Sequence, residues 1–117
     1  MEIKSTIFFL ILALTCSPLQ AALPSLPSCS DLVKPVAPCF PYLKGHGGLT
    51  SVCCNGVGGL IATARTKPGL ELICYCLQDA LKDAVYDPNL IPTLSTSCGF
   101  GNIGLPPISR ETNCAGI

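Results

Sequence analysis

Residues 53–76 read CCNGVGGLIATARTKPGLELICYC, a stretch that begins with an adjacent pair of cysteines and ends with two cysteines one residue apart. From Cys29 onward four further cysteines flank it, two on each side: Cys29, Cys39, Cys98 and Cys114. They bring the number of cysteines in this part of the chain to eight. An even number of cysteines in a short chain of the secretory pathway is typical of a disulfide framework. The spacing alone does not decide which cysteines pair.

The amino-terminal end has the pattern of a secretory signal peptide. Lys4 forms a short basic region, and residues 7–14 form an apolar run that is too short for a membrane span. Ala21 and Ala22 are small residues of the kind that precede a signal-peptidase cut. We therefore expect residues 1–22 to be removed on secretion, with cleavage after one of these two alanines.

The remaining residues, 23–117, are expected to form one domain. Cys16 leaves with the signal peptide, so eight of the nine cysteines stay and none is left over. In a domain this small each disulfide contributes roughly 2–5 kcal/mol to stability, which compensates for a modest core. The chain has seven basic and seven acidic residues without runs of either sign, and this balance indicates that it does not bind nucleic acid. No second apolar run follows, so we expect a free extracellular protein.

Caps and apolar spacing predict four helices. The first begins at a Ser30 cap and has apolar residues at Leu32, Val36, Phe40 and Leu43. Pro38 and Pro41 lack the amide hydrogen that a helix interior needs, so this helix should bend or end there.

The second predicted helix runs from Thr50 or Ser51 to about Ala64 and carries the adjacent cysteine pair. Neighbouring residues of a helix point about 100° apart, so these two cysteines should reach two different partners. The third helix has Pro68 in its first turn and an apolar stripe at Leu70, Ile73, Leu77 and Leu81.

The fourth predicted helix starts at Asp87-Pro88, where Asp is a favourable cap and Pro suits the first helical position. Its apolar residues are Leu90, Ile91 and Leu94. From Gly99 onward, glycine and proline exclude regular structure, so the last segment should be an extended arm tied down by Cys114.

No catalytic, metal or cofactor site is expected. Oxidised cysteines supply neither the thiolate of a nucleophile nor the ligands of a zinc site. His46 lies between glycines in a loop, and Asp79 and Asp83 share a helix face but have the pattern of solvated charges. We therefore predict that the protein is not an enzyme.

Several local segments together resemble the plant non-specific lipid-transfer proteins, a branch of the eight-cysteine helical superfamily. The segments are Pro38-Cys39 followed by Pro41-Tyr42, Cys53-Cys54-Asn55-Gly56, Ala64-Arg65-Thr66, Cys74-Tyr75-Cys76-Leu77, Ile108-Ser109 and Thr112-Asn113-Cys114. Nineteen residues separate Cys54 from Cys74, as in type 1 members. The resemblance covers the chain from Cys29 to Cys114.

This resemblance implies an all-α fold in which four disulfide-stapled helices surround a lengthwise apolar tunnel and an extended carboxy-terminal arm covers one side. The implied disulfides are Cys29–Cys76, Cys39–Cys53, Cys54–Cys98 and Cys74–Cys114. The implied activity is binding of a fatty acid, lysolipid or phospholipid and its transfer between membranes or to the cell wall. The implied protein is a monomer of the apoplast or cell wall that meets membrane surfaces transiently and takes no cofactor.

The apolar helix faces and the arm supply the candidate lining of the tunnel. It consists of Leu32, Val36, Val57, Leu60, Leu70, Ile73, Leu77, Leu81, Ile91, Leu94, Leu105 and Ile108. Periodicity alone favours an ordinary filled core for these residues, and the resemblance is what indicates a tunnel. The chain has no Trp, and two of its four Phe residues lie in the predicted signal peptide, so few bulky side chains remain to fill the centre.

The chain departs from the family pattern at two polar positions. Family members usually have an Asp-Arg pair before the Cys-x-Cys segment, where this chain has Gly69-Leu70, and a Tyr in the arm, where it has Pro106. The arm is also longer than usual by two residues. The remaining cations near the expected mouth are Arg65, Lys67 and Arg110, each of which is more simply a solvated surface charge.

Two other functional classes share this scaffold. Enzyme inhibitors and storage albumins have eight cysteines, but they are usually rich in Gln or charged loops and their cysteine gaps fit poorly here. A signalling or wall-associated module without lipid transport agrees with the loss of the two polar positions. Lipid carriage is the leading hypothesis, and the alternative is a signalling, wall-associated or inhibitor-type module without lipid transport.

Overall fold

Helices pack around a core in this protein, which is represented by a computed structural model that describes residues 26–117. The predicted signal peptide, residues 1–22, lies outside the described residues. The α-helices are α1 (Cys29–Val36), α2 (Phe40–Leu43), α3 (Ser51–Ala64), α4 (Lys67–Ala80) and α5 (Thr93–Ser97). Short 3-10 turns cover Ala37–Cys39, Pro88–Leu90 and Cys114–Gly116. Residues 26–117 contain no β-strand, and none of their helices is long and apolar enough to cross a bilayer.

Helix α1, the first 3-10 turn and α2 follow one another directly and form one bent helical segment. The bend begins at the 3-10 turn that contains Pro38, as its missing amide hydrogen predicts. The cap predicted at Ser30 is wrong, because α1 starts earlier. The Ser28 hydroxyl accepts a hydrogen bond from the Asp31 backbone N–H at 3.2 Å, and the Asp31 carboxylate accepts one from the Ser28 N–H at 3.4 Å. This reciprocal capping box places Ser30 inside the first turn.

Helices α3 and α4 start at capping threonines. The Thr50 hydroxyl accepts from the Cys53 N–H, and the Thr66 hydroxyl accepts from the Gly69 N–H, each at 3.1 Å. Gly56 lets α1 cross α3 closely, because a Cβ at this position would overlap the carbonyl oxygen of Pro35. The close crossing places the buried faces of α1 and α3 against each other.

The predicted fourth helix is divided into two parts, a 3-10 turn at Pro88–Leu90 and helix α5. Asp87 caps a 3-10 turn, with its carboxylate accepting from the Asn89 N–H at 3.0 Å. Helix α5 then begins after Pro92, whose missing amide hydrogen interrupts the ladder between the two parts. The Tyr42 hydroxyl lies 3.3 Å from the Thr93 hydroxyl and joins α2 to the start of α5.

Four disulfides tie these elements together, and they are the four pairs that the family resemblance implies. Cys29–Cys76 joins α1 to α4, and Cys39–Cys53 joins the first 3-10 turn to α3. Cys54–Cys98 joins α3 to the end of α5, and Cys74–Cys114 joins α4 to the last 3-10 turn. The two cysteines of the adjacent pair therefore bind different partners.

Residues 99–113 form the extended arm between the last two disulfide-bonded cysteines of the chain. Gly99, Gly101 and Gly104 have φ values of +91°, +77° and +88°, which other residues rarely adopt, and they turn the arm back across the helices. Leu105 and Ile108 anchor the arm in the core, with Ile108 fully buried. The arm thus forms one wall of the interior.

Candidate functional site

An apolar cavity lies where the bent first segment, α3, α4, α5 and the arm meet. Its lining residues are Val36, Cys39, Phe40, Leu43, Val57, Leu60, Leu77, Ile91, Leu94, Ser95, Ile103 and Leu105. Only Ser95 in this set has a polar side chain, because Cys39 is in a disulfide. The cavity therefore offers an apolar contact surface for a hydrocarbon. It has no charged side chain that could bind a polar group inside it.

The cavity is narrow. The space open to the centre of a water-sized sphere is about 10 Å³, which is about what one water molecule needs. A hydrocarbon chain of ten or more carbons requires the walls to move apart.

The twelve predicted tunnel residues divide into those that line the cavity, those buried in the surrounding core, and Leu70. Those that line the cavity are Val36, Val57, Leu60, Leu77, Ile91, Leu94 and Leu105. Leu32, Ile73, Leu81 and Ile108 are buried in the surrounding core without lining the cavity. Leu70 is half-buried and packs near Gly104 of the arm, 3.5 Å from where a glycine Cβ would lie.

Sequence reasoning missed five residues of the lining: Cys39, Phe40, Leu43, Ser95 and Ile103. Phe40 and Leu43 belong to the predicted apolar face of the first helix, so their spacing contained the signal. Ile103 lies among the glycines of the arm, where no periodicity exists. Its position depends on how the arm folds back.

Side chains of α4 and the following loop hold the arm. The Gln78 amide nitrogen donates to the backbone oxygens of Ser109 at 2.8 Å and Thr112 at 2.9 Å. The Tyr86 hydroxyl donates to the Ile108 backbone oxygen at 2.7 Å. Burial raises the pKa of Tyr86 above its ordinary value of 10.0, with Arg110 lowering it and Glu111 raising it by their charges.

At the positions where the chain departs from the family pattern, Gly69-Leu70 and Pro106, no side chain is polar. A Cβ at Gly69 would overlap the Thr63 backbone oxygen, so this backbone accepts no larger residue there. Pro106 is half-buried in the arm. Of the three candidate cations, all exposed, Arg65 borders a surface groove that shares Ile103 with the cavity.

The described part of the chain contains no cluster of three or more His, Cys, Asp or Glu residues arranged to hold a metal. His46 is exposed in its loop. Asp79 pairs with Lys82 at 3.5 Å on the surface. These polar groups stand apart from the cavity.

The architecture defines a class: a small helical domain with four disulfides that encloses an apolar cavity under a carboxy-terminal arm. Comparison with known proteins assigns it further, although no family model matches the chain. Non-specific lipid-transfer protein 3 of Arabidopsis thaliana is 35% identical over 112 residues, covering 94% of this chain and 94% of the relative. The chain belongs to the plant non-specific lipid-transfer protein family.

Solved structures show the same fold. Non-specific lipid transfer protein 1 from barley, in complex with a lysophosphatidylcholine, superposes with a TM-score of 0.66 and 25% identity, covering 78% of this chain and 99% of that one. The wheat non-specific transfer protein complexed with two molecules of phospholipid gives a TM-score of 0.60 and 26% identity, covering 78% and 100%.

Proposed function

We propose that this protein binds monoacyl lipids, such as fatty acids and lysolipids, in its apolar cavity and carries them between membranes or to the cell wall. The observation that carries this proposal is the cavity lining, in which Ser95 alone has a polar side chain. The lysophosphatidylcholine of the barley relative and the phospholipids of the wheat relative support it.

Hydrocarbon burial supplies the binding free energy. Each methylene removed from water contributes about 0.8 kcal/mol, so a twelve-carbon chain supplies roughly 10 kcal/mol before the costs of association. Lost translational and rotational freedom costs about 4–15 kcal/mol, and opening the narrow cavity adds to this cost. The most favourable balance is therefore about 6 kcal/mol, which corresponds to a Kd of tens of micromolar. Because an apolar wall makes no directional contacts, we expect little selectivity among acyl chains beyond the gain that each added methylene brings.

Entry of the chain requires the arm to shift. Between Cys98 and Cys114 the arm is held by the contacts of Gln78 and Tyr86 and by two buried anchors, Leu105 and Ile108. Bending of this segment widens the cavity while the disulfides keep the helices in place. The same movement releases the lipid at a membrane surface, which the protein meets transiently as a monomer.

Secretion brings the carrier to its lipids. The predicted signal peptide, residues 1–22, directs the chain to the extracellular space, where residues 23–117 form the carrier in the apoplast or cell wall. The cavity contains no group that does chemistry, so we propose carriage without catalysis. The balance of charge gives no basis for nucleic-acid binding.

A binding experiment with two matched variants tests carriage. Lauroyl lysophosphatidylcholine titrated into the disulfide-intact protein should displace the bound neutral dye diphenylhexatriene, and native mass spectrometry should show a one-to-one complex. Leu60→Phe fills the cavity and should weaken binding about tenfold or more, since the added ring occupies the space of several methylenes. Leu32→Phe is the control, because Leu32 is also 5% exposed but lies outside the lining.

Chemical unfolding establishes that both variants fold. Equal loss of binding in the two variants would show that overpacking, not occupation of the cavity, causes the effect. A wild-type protein that binds no acyl ligand up to high micromolar concentration contradicts the proposal. That result would favour a signalling or wall-associated module without transport.

A further inference from the structure

The cavity reaches towards the surface at Ile103, a half-buried residue of the arm. Ile103 lines both the cavity and an open surface groove, whose other lining residues are Ile61, Ala64, Arg65 and Asn102. Ile61 and Ala64 are apolar members of this lining. Its polar members are a guanidinium and a side-chain amide, and no carboxylate lines it.

The polar members of the groove are available to a ligand. Arg65 is exposed and forms no salt bridge within residues 26–117, where Lys82 and Asp79 make the ion pair. The Asn102 side-chain oxygen accepts from the Gly104 backbone N–H at 2.8 Å, so its NH₂ group is the part left to donate. The groove therefore offers two donor groups, one of them positively charged, next to the Ile103 side chain that borders the apolar cavity.

The opposite end of the cavity has a different character. Leu43 lines both the cavity and a second surface groove, but Leu43 is only 1% exposed and closes that end. Its backbone oxygen accepts from the Asp87 N–H at 2.9 Å. Lys44 and Asp87 bring opposite charges to this groove, so it has no net attraction for an anion.

We propose that the Arg65–Asn102 groove binds the anionic head of the lipid, a carboxylate or a phosphate, while the acyl chain extends past Ile103 towards Leu43. This inference rests on the proposed carriage of lipids and adds the orientation of the ligand and the residues that select its head. A guanidinium group can donate two parallel hydrogen bonds to two oxygens of a carboxylate or phosphate, a geometry that an ammonium group does not provide. Because Arg65 is exposed, water screens the contact and its contribution is moderate.

The test compares two ligands of equal chain length, dodecanoate and dodecanol, in displacement of neutral diphenylhexatriene at pH 7.5. Arg65→Gln should weaken dodecanoate binding about three- to tenfold and leave dodecanol binding unchanged. Lys67→Gln is the control, because this exposed cation lies two residues away but does not line the groove. It should change neither affinity.

Lowering the pH separates a charge effect from a structural one. At pH 3.5 a carboxylic acid is mostly protonated, so wild type and Arg65→Gln should bind dodecanoic acid equally. Acetate at millimolar concentration should not compete with dodecanoate, which would show that the site reads the head of a lipid and not a free anion. A phosphate head is examined with lauroyl lysophosphatidic acid in the same two proteins.

Three outcomes would overturn the proposal. Unchanged dodecanoate affinity in Arg65→Gln would show that the head lies elsewhere. Equal weakening of dodecanoate and dodecanol would show that Arg65 supports the cavity and does not bind the head. If wild type binds neither ligand, the proposed lipid carriage is wrong and the proposed ligand orientation is wrong with it. If wild type binds dodecanol and Arg65→Gln has no effect on dodecanoate, only the proposed orientation is wrong.

Discussion

Gly56 and Gly59 provide a direct test of how closely α1 and α3 pack. A Cβ at Gly56 would overlap the Pro35 carbonyl oxygen and lie 3.2 Å from the Val36 backbone nitrogen. A Cβ at Gly59, on the same helix, would meet nothing within 4 Å. The substitutions Gly56→Ala and Gly59→Ala therefore add the same methyl group to two very different surroundings.

The expected free energies of unfolding follow from two opposing effects. Replacing a helical glycine by alanine stabilises by about 0.5–1 kcal/mol at both positions. At Gly56 the overlap is with backbone, which no rotamer change relieves, so α1 must move. Such overpacking costs about 1–3 kcal/mol. Helix propensity cancels in the comparison, so Gly56→Ala should be less stable than Gly59→Ala by about 1–3 kcal/mol.

Guanidinium unfolding of the disulfide-intact proteins measures this difference. In a domain of this size 1 kcal/mol corresponds to about 4–8 °C in Tm, so thermal unfolding gives a second readout. Cys29–Cys76 and Cys39–Cys53 limit how far α1 can move, which keeps both variants folded. If Gly56→Ala proved as stable as Gly59→Ala, the close crossing of α1 and α3 would be wrong.

Two further predictions concern the arm. Tyr86→Phe removes the hydrogen bond to the Ile108 oxygen and should cost about 1 kcal/mol. Burial raises the pKa of Tyr86 in the folded state, so the contribution of its protonated hydroxyl to stability is complete below about pH 10 and is lost as the pH rises through the raised pKa. Above pH 10 the free energy of unfolding should therefore fall more steeply in wild type than in Tyr86→Phe. Parallel curves for the two proteins would contradict this. Gln78→Glu replaces a donor that faces the Ser109 and Thr112 oxygens by a carboxylate of the same size, and it should destabilise by about 1–3 kcal/mol. Hydrogen exchange at residues 109–114 should speed up in Gln78→Glu, and unchanged protection there would show that the arm does not depend on this contact.

Much of the fold follows from the sequence because its signals are local. The cap predicted at Thr50 or Ser51, Pro38 of the first segment and the glycines of the arm each determine the nearby backbone. The structure has the cap at Thr50, the bend at Pro38 and positive φ values at three glycines of the arm. The Ser30 cap was wrong because Ser28 has an acidic partner three residues later and Ser30 does not. When two possible capping residues lie two positions apart, the presence of an acidic residue three positions after one of them identifies the actual cap.

The cavity was harder to predict than the fold. Helical spacing identifies a buried face, but it does not distinguish a residue that borders empty space from one that contacts other side chains. Leu60 and Leu32 have the same burial, yet only Leu60 lines the cavity. That distinction depends on the angles at which the helices cross, and these depend on long-range contacts such as Gly56 against Pro35.

The arm has fixed ends, and this limits the shape of the cargo. Fifteen residues separate Cys98 from Cys114, and each of these cysteines is bonded to a helix. Because both ends of the arm are fixed, its middle can move outward, but the arm cannot detach from the helices at either end. The protein should therefore bind single acyl chains of different lengths. It should exclude ligands with a larger cross-section, such as bulky polycyclic molecules.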